Sequence, residues 1–224
     1  MRIPHSAFWL LNSGFWILNS IFWLLPLRGD IIDRIAITVA NQVITESQID
    51  DEIRLTAFLN REKADLSELS RKTAAGRLIE QALTRREMEL SHYPLPNVRD
   101  AATSLAGVKA MYPSEADFES ALKSYGITLD DLNRRLLWQL TLLRFIDYRF
   151  RPGIQIPPSD VQAYYRQQVS EWQQKGINPI PTLDESRDRI EDILTEKRID
   201  QALDQWLQDS RKQVPIRYLD PALQ

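Results

Sequence analysis

Two histidines, His5 and His92, and no cysteine are all that the chain offers to soft-metal or thiol chemistry. That excludes a cysteine-based zinc or iron–sulfur site, a thiol nucleophile and a disulfide framework. Beside His92 only Glu89 stands at metal-ligand spacing, and the Tyr93–Pro94 break that follows favours a helix-end or surface position. No phosphate-loop, dinucleotide-binding, zinc-protease or nucleophile-elbow spacing occurs. The carboxylate pairs Asp50/Asp51 and Asp130/Asp131 have the right groups for acid–base work. Both pairs, and Glu52 with the first, fall where a helix begins, and the positive end of the helix dipole accounts for them. Arg85–Arg86, Arg134–Arg135 and Arg187/Arg189 have acids nearby and read as solvated faces. The expectation is no catalytic residue, no metal and no cofactor.

What is left is the chemistry of binding. Met111, Tyr112, Phe118, Tyr125, Trp138, Leu142 and Phe145 are bulky and apolar and fall among charged residues. Such side chains can line a groove that holds a partner by burial, with charge at its rim. On this reading, alanine at Trp138 or Phe118 weakens binding and leaves the melting temperature nearly unchanged.

Helices must position these residues. Of 224 residues, 43% are hydrophobic and 26% charged, which fits one globular domain. Seven glycines argue against a glycine-rich barrel, and a net charge of −3 gives a nucleic-acid partner no support. Ile35, Ile37 and Val39 alternate with small or polar residues, and Asn41–Gln42 marks a turn before a short strand Val43–Thr45. Helices are expected at about 47–61, 66–92, 97–111, 114–126, 128–150, 158–172 and 182–213, with Thr45 or Ser47, Thr128 and Thr182 as caps. A terminal strand IRYL, 216–219, can complete the hairpin as a third strand, because two strands alone are marginal. The fold class is therefore mainly α, with the two chain ends closing one domain over 30–219 and a tail at 220–224.

Two helices carry apolar residues on two faces. In 128–150, Leu129, Leu132, Leu136, Leu140 and Leu143 form one stripe, and Trp138, Leu142 and Phe145 lie nearly opposite. Such a helix is either central in the core or offers its second face to a partner. In 182–213, Leu183, Ile190, Ile193 and Leu194 share one face, and Ile199, Ala202, Leu203, Trp206 and Leu207 share a rotated one. Its two halves are expected to pack against different parts of the protein.

The first 29 residues stand apart. A basic start precedes Ala7–Leu25, which carries no charge and repeats as FWLLNSG, FWILNSI, FWLLPLR. A cleaved secretory signal, an uncleaved membrane anchor and a misplaced start codon are the three readings. Without this segment the chain has 26 basic and 31 acidic residues.

DRIAITVANQVITESQIDDEI, from Asp33, resembles the opening of the SurA-like periplasmic chaperones, a hairpin leading into an acid-rich helix start. YPSEADFESALKSYGITLDDLNRRLLWQL, 112–140, is similar to that family's paired helices. IPPSDVQAYYRQQVSEW, 156–172, resembles the helix that leads into the family's parvulin prolyl-isomerase module, and 181–219 resembles the helix and strand that follow it. Only QQKGINPIP stands between Trp172 and Thr182, far short of the ~50 residues a domain needs. The resemblance thus implies a helical chaperone core without prolyl isomerase activity. It implies an exported, periplasmic protein that holds unfolded envelope or outer-membrane proteins without nucleotide. The same scaffold would also suit a dedicated assembly subunit for one folded envelope partner.

Overall fold

The chain is represented by a computed structural model, which describes residues 33–224. The leader expected at 1–29 lies outside the described residues. Strands β1 (Ile35–Val39) and β2 (Gln42–Thr45) form an antiparallel hairpin around Ala40–Asn41. Ala40 takes a φ of 51°, the region glycine adopts most readily. Its N–H donates to Pro215 O at 2.9 Å, which ties the turn to the far end of the chain. Strand β3 (Ile216–Tyr218) pairs with the other edge of β1, giving the order β2-β1-β3 that the marginal hairpin required.

Seven α-helices follow or lie between these strands. They are α1 (Glu46–Asn60), α2 (Glu68–Leu90), α3 (Ala102–Lys109), α4 (Glu115–Tyr125), α5 (Leu129–Phe150), α6 (Pro158–Gln174) and α7 (Leu183–Gln213). The threonine caps fix three of the starts. Thr45, Thr128 and Thr182 each accept from the backbone N–H three residues on. Gln48, Asp131 and Glu185 return a bond to the cap N–H. The stretch expected as one helix at 97–111 begins instead as a 3-10 turn, Val98–Ala101, capped by Asn97.

Two cores divide the body. In one, Ala36, Ile37, Val39 and Ile44 of the sheet pack on Ile49 and Ile53 of α1 and Ala75, Ile79 and Ala82 of α2. Leu223 enters this core from a last 3-10 turn, Pro221–Leu223, so the residues expected as a tail form part of the packing. In the other, Phe58 of α1 meets Phe118 and Leu122 of α4 and Leu132 and Leu136 of α5. Asp33–Gln224 is one compact unit.

The leucine stripe expected on α5 is not its buried line. Leu132 and Leu136 are buried, but Leu129 and Leu143 face solvent, Leu143 at 69% exposure. The buried side changes along the helix instead: Thr141 and Phe145 lie nearly opposite Leu132 and Leu136, Tyr93 and Trp206 cover Phe145, and Phe150 packs on Trp206. The two halves of α7 do pack on different partners. Its first half runs beside α6, where Arg198 pairs with Asp160 and donates to Gln155 O. Its second half sets Trp206 against Phe145 and Phe150, and Arg211 pairs with Glu80 of α2 at 2.8 Å. No helix of the described residues is long and apolar enough to cross a membrane.

Candidate functional site

The seven residues expected to line one groove fall in two places. Four belong to the junction of α1 with α3 and α4. Phe118 is only 1% exposed, with its ring edge-on to Phe58 and Tyr112. Tyr112 stacks on Phe58 at 6.0 Å, and burial raises its phenol above the ordinary range while Arg61 pulls it down. The Tyr125 hydroxyl donates to Glu62 O at 2.7 Å, and Arg61 donates to Met111 O at 3.0 Å. These contacts lock the end of α1 to α4. The Met111 side chain is the exposed member of the four. Phe118 is thus a core residue rather than a groove residue, and its truncation is expected to cost stability, where the sequence reading expected the melting temperature to be nearly unchanged.

The other three lie on α5. Phe145 is 1% exposed, held between Tyr93, edge-on at 5.4 Å, and Trp206. It too is core, unavailable to a partner arriving from solvent. Trp138 and Leu142 instead open onto clefts. The largest has a volume of about 670 Å³ and lies between the second half of α2, the loop after it and the middle of α5. Met88, Tyr93, Leu95, Pro96, Leu137 and Trp138 give it an apolar wall, with Arg85, Glu89, His92 and Arg134 around them. Leu95 is 70% exposed. His92 has a φ of 52° just past the end of α2 and turns the chain into this loop.

Trp138 also lines two smaller depressions, of about 280 and 260 Å³. The first reaches Val43 and Ile44 of β2 and Leu78 of α2; the second reaches Leu142 and, from α7, Leu203 and Leu207. Three depressions therefore meet at one indole. The Arg85 guanidinium stands 4.5 Å from the centre of that ring, a cation–π distance. Burial holds Arg85 below the usual arginine range, and Glu52 and Glu89 pull it back up.

Beneath the indole lies a feature that sequence reasoning missed. Glu52, expected at a helix start, sits in the second turn of α1 and is 4% exposed. Arg77 of α2 donates to its Oε1 at 3.0 Å, and Arg135 of α5, 13% exposed, holds its Oε2. One carboxylate thus clamps three helices, and the Arg134–Arg135 pair is not a uniform solvated face. Only Arg134 is solvated, paired with Asp130 and Asp131. The signal was available. Glu52 lies three residues from Ile49 and Arg135 three from Leu132, so each charge falls within an apolar stripe. Arg71 and Asp50 form a second α1–α2 pair at 2.9 Å.

The chemistry this arrangement supports is burial of apolar side chains beside charge. Among the described residues, no three of His, Asp and Glu gather as a metal site. No protein-family model matches the chain, and no curated protein matches it.

Proposed function

We propose that the chain is an exported, nucleotide-independent holdase for unfolded or partly folded envelope and outer-membrane proteins. The open cleft centred on Trp138 carries this reading. Of the three depressions that Trp138 lines, the large one and the one reaching α7 are mainly apolar, and the one beside β2 is lined largely by charged and amide groups, which suits an extended chain carrying both bulky and polar side chains. The uncharged segment Ala7–Leu25 supports export, and the resemblance to SurA-like chaperones supports the client class. Prolyl isomerase activity is not part of the proposal. The eight residues from Lys175 to Thr182 join α6 directly to α7, where that family would carry its isomerase module.

The test is suppression of aggregation of a diluted, unfolded outer-membrane protein, with a proline-peptide isomerase assay on the same sample. Suppression near stoichiometric ratio, without isomerase activity and weakened by Trp138→Ala, is the expected result. A folded protein that suppresses nothing overturns it and turns the search toward one dedicated folded partner.

A further inference from the structure

The guanidiniums around Trp138 are not equivalent. Arg77 and Arg135 are committed to Glu52, and Arg134 to Asp130 and Asp131. Among the described residues Arg85 makes no ion pair, and its partner is the face of the Trp138 ring. It borders both the large cleft and the depression beside β2. Glu89 is the one carboxylate lining the large cleft. With Arg134 neutralised by its own acids, Arg85 is the uncommitted cation on that rim.

A guanidinium stacked on an indole still has its edge N–H groups free, and those groups match a carboxylate in a planar fork. We infer that the Trp138 cleft selects client segments in which an acidic side chain neighbours a bulky apolar one, the carboxylate on Arg85 and the apolar group against Met88, Leu137 and Trp138. An extended polypeptide is the occupant because neighbouring depressions share walls, Arg85, Arg134 and Trp138 between the large cleft and the one beside β2, and Gln81, Arg135 and Trp138 between that one and the one reaching α7, so that successive side chains of one chain can enter them with the acidic one on Arg85. This rests on the holdase reading and names the sequence class that the holdase would favour.

The experiment is a fluorescence-anisotropy titration of the full chain with labelled peptides. They share a central Phe-Leu pair and differ only in Glu, Gln or Lys flanking it. The Glu peptide is expected to bind roughly fivefold tighter than the Gln peptide, as a partly exposed charge pair allows, and the Lys peptide weakest. Arg85→Gln should bring the Glu and Gln peptides to parity with an unchanged melting curve, and Arg85→Lys should keep part of the preference. Equal binding of the Glu and Gln peptides to the unaltered chain overturns the inference, as does a preference that survives Arg85→Gln. Displacement of the Glu peptide by laurate at lower concentration than by unlabelled peptide overturns the polypeptide assignment. If aggregation suppression persists without an acidic preference, the inference falls and the holdase stands. If no peptide binds and nothing is suppressed, both fall.

Discussion

Glu52→Ala is the sharpest test of how the helices around the cleft are held. The substitution removes the shared partner of Arg77 and Arg135. Breaking a buried ion pair by deleting one member costs about 3–5 kcal/mol, because the other charge stays desolvated. The two arginines differ in what they can recover. Arg77 is 38% exposed and can turn to water. Arg135 cannot do so as easily, and its Nε already lacks a partner. The loss should therefore lie near the lower end, about 3 kcal/mol. In a domain of this size that lowers the melting temperature by roughly 6–12 °C. Urea unfolding followed by circular dichroism measures it. Arg135→Ala alone should also destabilise. The double variant should lose less than the sum of the two, by about 1–3 kcal/mol of coupling. A Glu52→Ala variant within about 0.5 kcal/mol of the unaltered chain, the range of ordinary surface changes, would refute the buried clamp.

Trp138→Ala and Phe145→Ala should separate function from stability. The first should weaken client binding with little change in melting temperature, whereas the second, like Phe118→Ala, should cost about 3–5 kcal/mol in urea unfolding. Leu223→Ala should cost about 2–3 kcal/mol, since the side chain fills the sheet core, and a loss under about 0.5 kcal/mol would make 220–224 a tail after all. Asp131 gives a pH test. Burial pushes its carboxyl up, but the hydrogen bonds from Thr128 and the Arg134 guanidinium outweigh that and hold it below its ordinary 3.8. A depressed pKa contributes stability that is present above about pH 4 and fades as pH falls below it. Asp131→Asn should thus lose up to about 1 kcal/mol at pH 7 and progressively less as the pH falls below about 4, read from melting curves across pH. Ala40→Gly should raise stability by about 0.5 kcal/mol, because the positive φ of the turn no longer opposes a Cβ.

The elements with local signals were legible. Alternation marked β1, and cap residues marked the starts of α1, α5 and α7, with Thr45 rather than Ser47 taking the cap of α1. The third strand was legible through a requirement rather than a pattern, since a lone hairpin lacks support. The split of the candidate site was not legible. Phe118 and Trp138 have equal claims as aromatic residues on amphipathic helices. What separates them is whether a distant element arrives to cover the ring, and that depends on how far α4 sits from α1. The clamp at Glu52 was missed for a related reason. An acid early in a helix has a sufficient local explanation, so its place on the buried side went unread.

The helix α5 shows why a two-faced pattern need not choose between core and surface. Trp138, Leu142 and Phe145 lie along one side, since seven residues at ~100° each return within ~20° of the start. At the Phe145 end that side is closed by Tyr93 and Trp206. At the Trp138 end α7 contributes only Leu203 and Leu207 at the edge of a depression, and the indole stays open to the clefts. The same apolar face is therefore core at one end and accessible at the other. Where α7 is docked sets the boundary, and Arg211 helps fix that docking through Glu80, which lines the same depression, and through Gly76 O one turn earlier on α2. The ion pair that docks the second half of α7 thus stands at the same boundary that separates the covered from the open part of this face.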